Sequence, residues 1–350
     1  MKQLLATFIC AALLCTLSGC RRNEKPVTDP VPPSPPSSAE ELSPQPLHLD
    51  SLAIEISRDY AANDAALLQA TSALPTLLTT ALAKADVTVE HITVSVGASA
   101  SATCQALERG TVDLAFLPAD SYLESGSAGT VLLSDADQDF TAGRQVQICT
   151  APSAYGRSLS QRAESANPLT WSELDHARWG VLAPGSDLGW RYLNLWLADH
   201  YDGLLLEDLS QVSVYQNFEE ILLAAAREEI DLFPMTSAML TEYATAWTLE
   251  TGRADDAGHS GFGRDLPMEE EIRIIDSTAP IPTTLVVAGS SDGLSGDSFA
   301  SALAQALNSF SKTAEGQQLL SVLGAPRYAR TDDAALDPLR RILTMEGALL

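Results

Sequence analysis

The order in which short apolar runs alternate with amphipathic segments sets the tightest limit on this fold. Leu52–Ile56 reads as a first strand, and a helix follows it with Leu67, Leu74, Leu77, Leu78 and Leu82 along one side. Ile92, Val94 and Val96 alternate as a second strand ending at Gly97; Ser99–Arg109 has a helical pattern, and Gly110–Pro118 reads as a turn and third strand. Val131–Leu133 adds another strand. Such β-α-β-α-β order calls for an α/β fold whose sheet is mainly parallel, with helical crossovers. The order then recurs: strands at Gln145–Cys149, Val212–Val214 and Ile230–Phe233, helices at Trp171–Leu174, Phe218–Arg227 and Leu240–Thr248. Gly110–Phe116 and Glu228–Phe233 share a pattern of Val or Ile, then Asp-Leu, after a helix, an internal echo between two lobes. A polar segment, Gly252–Glu271, interrupts; Ile272–Ile275, a strongly apolar strand Thr284–Ala288 and a helix marked by Phe299, Leu303, Ala306, Leu307 and Phe310 complete the pattern.

Within the second lobe, Trp179–Asp199 reads as strand, small-residue turn and helix. Pro184 and Gly185 break the strand, and Ser186 or Asp187 suits a helix cap. A strand that feeds a helix start aims free N–H groups and the positive dipole end at one point, a place for an anion, although most such turns are only turns. Leu193, Trp196 and Leu197 have the spacing of a buried face, and Trp171, Trp190 and Trp196 read as core.

The N-terminus indicates a compartment. Lys2 precedes an apolar run, Leu4–Leu17, too short for a stable membrane span, and it ends in Leu17-Ser18-Gly19-Cys20. That ending resembles a bacterial lipobox, which implies cleavage before Cys20, lipidation of its thiol and an extracytoplasmic protein anchored to the bacterial cell membrane. Two or three acyl chains hold a soluble domain where one does not. Residues 21–46 carry eight prolines and scattered apolar residues, a tether rather than a core.

The formal charge of −25 argues against nucleic acid and against a peripheral grip on anionic lipid. With Cys10, Cys15 and Cys20 assigned to the N-terminal segment, Cys104 and Cys149 remain, and two buried free thiols are expected. There is no GxSxG, Walker-type, HExxH or CxxC motif, and the five histidines lack paired metal-ligand spacing. No cofactor, metal or catalytic group is expected.

The ordered set of motifs resembles the type 2 periplasmic solute-binding proteins of ABC importers, in their phosphate/phosphite/phosphonate branch. Val94–Gly97 with Ala106–Asp113, Ala151–Gly156, Leu169–Leu174 leading to Trp179–Val181, and Ser277–Pro282 carry the likeness across residues 50–330. The resemblance implies two α/β lobes joined by two crossing strands, Gln145–Cys149 and Thr284–Ala288, with ligand in the cleft between them. The domains expected are a signal peptide at 1–20, a tether at 21–46, lobe 1 at 47–145 with 284–350, and lobe 2 at 146–283. A monomer that serves an ABC permease and its cytosolic ATPase is implied. Two alternatives stand beside it: an orphan or sensory binding protein on the same fold, and an extracellular hydrolase needing a base–nucleophile pair in the cleft.

The family's hydroxyl-rich oxyanion turn corresponds to Gly185, Ser186, Asp187 and Leu188, where Ser186 and the following Gly189 match and Gly185 and Asp187 depart. Asp187 either meets an amino-bearing ligand or caps the helix while Ser186 and backbone amides face an oxyanion. Family cleft segments also correspond to Ser99 with Ser101, and to Asn217 before Glu219. Further candidates follow strand ends: Tyr60, Asn63 and Asp64; Asp120, Ser121 and Tyr122; Thr236 and Ser237.

Overall fold

The computed structural model describes residues 46–60, 64–165, 168–291 and 293–349. Cys20, the tether up to residue 45, and Asn63 lie outside these residues. Strand β1 (Leu47–Ser57) leads to α1 (Asp64–Ala83), β2 (Val87–Gly97), α2 (Ala100–Glu108), β3 (Leu114–Pro118), α3 (Ala119–Glu124) and β4 (Thr130–Asp135). Then come β5 (Gln147–Thr150), α4 (Ala154–Glu164), α5 (Trp171–His176), β6 (Trp179–Leu182), α6 (Tyr192–His200), β7 (Val212–Tyr215), α7 (Phe218–Ala226), β8 (Leu232–Met235) and α8 (Ser237–Thr248). The chain closes with α9 (Met268–Glu271), β9 (Arg273–Ser277), β10 (Thr284–Ala288), α10 (Asp297–Ser309), α11 (Ala314–Val322), β11 (Tyr328–Arg330) and α12 (Asp337–Met345).

These strands form two sheets, a larger one in the order β11-β4-β10-β3-β1-β2 and a smaller one in the order β7-β6-β8-β5-β9. Both are mixed, which corrects the mainly parallel expectation. β2, β1 and β3 are parallel neighbours, but β10 runs antiparallel to both β3 and β4. Likewise β7, β6 and β8 are parallel while β5 runs antiparallel to β8 and β9. The cause is connectivity. A strand arriving from the other sheet enters beside the carboxyl end of its neighbour, so it must run the opposite way.

The same connections orient the sheets. β5 begins with Gln147 opposite Met235, the last residue of β8, and β10 begins with Thr284 opposite Pro118, the last residue of β3. Both connections therefore meet the sheets at the carboxyl ends of the parallel strands, and those two edges face each other across the connections. The connections pair with one another: Arg144 and Ile281 exchange N–H···O bonds of 2.8 and 2.9 Å, and the Thr278 N–H donates to the Val146 carbonyl at 2.8 Å. Asp135, 1% exposed, pins both, accepting from Thr283 N and Oγ1 at 2.8 Å and from Arg144 Nε at 3.0 Å.

Each sheet is covered by helices whose apolar faces build its core. α1 is apolar enough by length and composition to span a membrane, yet Leu67, Leu74, Leu78 and Leu82 are buried beside β-strand residues Ile54 and Phe116. Apolar burial of this kind contributes about 25 cal/mol per Å². Around the connections lies a separate cluster holding Val146, Ile281 and Leu285 together with Tyr192 and Leu195 of α6 and Leu339, Ile342 and Leu343 of α12. Cys104 and Cys149 are buried, free and in different clusters, as expected. Trp190 and Trp196 are core residues, with Trp171 packed against the same cluster.

Candidate functional site

The predicted strand–turn–helix forms with one refinement. After β6, Gly185 takes a left-handed φ of +90°, and Asp187–Arg191 makes a single π-helical turn before α6. Both the Trp190 and Arg191 N–H groups converge on the Ser186 carbonyl, at 3.0 and 2.9 Å. Gly189 is required by packing, since a Cβ there would sit 2.5 Å from the Leu182 side chain. Single π turns are frequent at functional sites because they redirect side chains without ending the helix.

Ser186 is the cap, its Oγ accepting from Gly189 N at 3.2 Å. Asp187 is not. Its Oδ1 accepts from Arg191 Nη1 at 2.6 Å, one helical turn on. Arg191 also makes a two-pronged pair with Glu346, Nε to Oε1 and Nη2 to Oε2, both at 2.8 Å. Burial of Arg191 works against its charge, but bonds from two carboxylates more than offset it and keep the guanidinium protonated. Asp187 thus shares one cation with Glu346, so its charge is only partly compensated.

The other candidates share a pattern. Ser99 caps α2, accepting from Ala102 N at 3.2 Å, while Asp59 accepts from Ala100 N of the same first turn at 2.7 Å. Asp120 Oδ1 accepts from Ser121 N at 2.7 Å at the start of α3. Asn217 caps α7 through Glu220 N at 2.9 Å, and Thr236 caps α8 through Met239 N at 3.2 Å. Ser237 Oγ accepts from Gln147 Nε2 at 2.6 Å, and the buried Gln147 Oε1 has no partner. Ser101 is exposed on α2 and Leu188 is half-buried against the cluster at the connections. Tyr122 is 1% exposed, and burial pushes its hydroxyl up to about 12, with the charge of Asp333 adding to the effect. Tyr60 ends a short 3-10 turn after β1 and Asp64 opens α1.

The structure therefore brings Ser99, Asp120, Ser186, Asn217, Thr236 and Ser237 to the facing carboxyl edges of the two sheets. Most use their side chains to cap helices there. A cap leaves a hydroxyl proton and further N–H groups of that first turn able to meet a ligand. Sequence reasoning missed Asp59, Arg191, Gln147 and Glu346. The i,i+4 spacing of Asp187 and Arg191 was a legible sign of the pair. Glu346 lies 155 residues from Arg191, so no local pattern could join them.

Two further features lie elsewhere. A concavity of about 490 Å³ is lined by Trp196, His200, Tyr201, Ile275 and Asp276. Volume alone would make it a ligand candidate. It holds none of the capped strand ends, and convergent polar groups weigh more than volume in choosing between the two. His48, Asp50 and Glu90 cluster on the exposed faces of β1 and β2. Among the described residues no histidine bonds a serine of the facing edges; His259 instead pairs with Asp255 and Glu242.

Residues 61–336 match the family model described as ABC transporter, phosphonate, periplasmic substrate-binding protein. No curated protein sequence matches the chain. Among solved structures it is similar to a binding protein component of an ABC phosphonate transporter from Pseudomonas aeruginosa, at 12% identity over 85% of this chain and 87% of that one, TM-score 0.38. PhnD1 from Prochlorococcus marinus with methylphosphonate is similar at 12% identity over 86% and 99%, TM-score 0.39. The periplasmic aliphatic sulphonate binding protein SsuA from Escherichia coli is similar at 13% over 85% and 92%, TM-score 0.39. The assignment rests on the family match, not on these three. The chain belongs to the periplasmic phosphonate-binding family of ABC transporters, whose members are solute-binding proteins rather than enzymes.

Proposed function

We propose that this protein captures a small phosphonate-class oxyanion bearing an amino group between its two sheets and delivers it to an ABC permease driven by a cytosolic ATPase. The observation that carries the reading is the pairing of Asp187 with Arg191 at 2.6 Å. An unpaired carboxylate in this turn would repel an oxyanion. Turned onto Arg191, the carboxylate leaves Ser186 Oγ and the N–H groups of Gly185, Asp187 and Leu188 to hold it, the Ser186 N–H being bonded to the Ala183 carbonyl. Across the cleft, Asp59 and Asp120 at neighbouring strand ends supply negative charge for an ammonium group. Ser99, Ser101, Asn217, Thr236 and Ser237 complete the polar lining in this reading, with Ser121 after β3; Tyr60, Asn63 and Asp64 stand as candidate contacts, while Tyr122 is buried in the core.

The lobes in this reading are 47–145 with 284–350, and 146–283, closing by hinge motion at the connections. The protein acts as a monomer outside the cytoplasm, held to the cell membrane by lipid on Cys20. Replacing Cys20 with serine should abolish incorporation of labelled fatty acid and move the protein to the soluble fraction; unchanged membrane association would refute the anchor.

A thermal-shift series tests the ligand: 2-aminoethylphosphonate, methylphosphonate, phosphate, ethanolamine and ethanesulfonate. Ligand at a hundredfold its Kd stabilises the fold by about 2.7 kcal/mol. For a domain this size that is several degrees, at about 2–4 °C per kcal/mol. The largest shift is expected with 2-aminoethylphosphonate. A shift with ethanolamine alone would remove the oxyanion from the reading, and a shift with methylphosphonate alone would remove the amine.

A further inference from the structure

Helix α12 belongs to the chain's last segment, yet it sits between the two sheets' helical layers. It is strongly amphipathic and buries Leu339, Ile342 and Leu343. Those side chains share one cluster with Tyr122 of α3 and with Tyr192 and Leu195 of α6, which are 1% and 4% exposed. Two ion pairs then run from this segment to the part of the chain that follows the smaller sheet's β6. Arg341 pairs with Asp199 through both terminal nitrogens, Nη1 to Oδ2 at 2.9 Å, and Glu346 takes both Nε and Nη2 of Arg191. The Arg191 side chain is 11% exposed and that of Glu346 41%, so the pair is shielded from screening on its arginine side only.

Position in sequence gives the arrangement its consequence. Arg191 and Tyr192 come directly after Gly185–Leu188, so the side chains that anchor this turn are held by a helix that packs on the larger half. A rigid rotation opening the cleft would have to separate Tyr192 and Leu195 from Ile342 and Leu343 and break both ion pairs. We propose that α12 and Glu346 form a strap that fastens the ligand turn to the larger half, acting through Arg191 as a positioning residue, and that cleft opening requires its release. The link to ligand rests on the reading of Gly185–Leu188 as the binding turn; the strap itself does not.

The test uses hydrogen exchange of the full chain without ligand. A double variant, Arg341→Asp with Glu346→Gln, removes both pairs while leaving the turn's own residues intact. Exchange across residues 184–200 should then quicken about tenfold, the scale of a lost charged hydrogen bond, while α10 exchanges as before. Exchanging the charges, Asp199→Arg with Arg341→Asp in the presence of native Glu346, should restore most of the protection. A thermal-shift ligand, added to the double variant, should dissociate about tenfold faster and return towards the native rate in the charge exchange. Unchanged exchange at 184–200, a uniform rise across the chain, or no recovery on charge exchange would overturn the strap. If no compound shifts the native protein but exchange behaves as stated, the ligand reading fails and the strap stands.

Discussion

The larger and smaller sheets contain the same unit, offset by 118 residues, and solve one problem in two ways. In each, a side-chain cap (Ser99 or Asn217) starts a nine-residue helix, an arginine (Arg109 or Arg227) ends it, and a left-handed residue follows. That residue is Gly110 at φ +65° in one and Glu228 at φ +59° in the other. Three positions on, an aspartate ties the unit to the neighbouring strand. Asp113 accepts from Ala53 N at 2.9 Å and from Ser291 Oγ at 2.6 Å. Asp231 accepts from Arg178 N at 2.8 Å and from Ser153 Oγ at 2.6 Å, and adds two bonds from the Arg178 guanidinium, 3.0 and 2.7 Å. The difference follows burial. Asp113 is half-buried and needs only neutral donors, whereas Asp231 is 2% exposed and is held ionised by a cation. A repeated backbone task can therefore keep its acceptor while its partner changes with depth.

Removing the cation should break this comparison most sharply. Arg178→Met leaves Asp231 buried without its partner and should cost about 3 kcal/mol, the low end for a buried pair because the guanidinium side reaches solvent. Ser291→Ala beside Asp113 should cost about 1 kcal/mol, and urea unfolding of the two variants measures the gap. The same pair makes a pH prediction. Burial alone would raise the Asp231 carboxyl, but the bonds from Arg178 and Ser153 outweigh it and hold the group below the usual carboxylate range. Its contribution is therefore complete above about pH 4 and is lost as pH falls through the lowered value. The stability gap between the native protein and Arg178→Met should therefore be full at neutral pH and shrink as pH falls through the carboxylate range; an undiminished gap in acid would mean that the pair does not govern the acid limb.

Smaller effects sharpen the equivalence. Gly110→Ala forces a side chain into left-handed backbone and should cost about 1 kcal/mol, whereas Glu228→Gly removes that strain and should gain about 0.5 kcal/mol by differential calorimetry. Opposite signs are the expectation, and a loss at both positions would show that the Glu228 side chain has contacts worth more than its strain. Ser99→Ala and Asn217→Ala should each cost about 1 kcal/mol as lost caps. If both residues also touch ligand, each variant should weaken binding beyond what its stability loss explains, as isothermal titration would read directly.

Much of this organisation is legible in local sequence. The shared Val/Ile-Asp-Leu pattern exposes the repeated unit, and Pro184-Gly185-Ser186 exposes the strand break and cap after β6. What escapes local reading depends on partners far along the chain. The mixed character of each sheet comes from β5 and β10 crossing between them, and β11 is a three-residue strand too short to show a period. Arg178 and Asp231 are 53 residues apart, and Arg191 and Glu346 are 155 apart. Helical spacing predicts the Asp187–Arg191 neighbourhood but not whether that arginine is shared. The capped residues at the facing edges were readable as strand-end polar groups, while their use as caps needed the helices to be placed.

The most direct measurement is a crystal structure of the protein with 2-aminoethylphosphonate. Phosphonate oxygens are expected within hydrogen-bond distance of Ser186 Oγ and the amides of Gly185, Asp187 and Leu188, with the ammonium near Asp59 and Asp120. Ligand seated instead in the concavity beside Trp196, His200 and Tyr201, with the facing strand ends unoccupied, would contradict it.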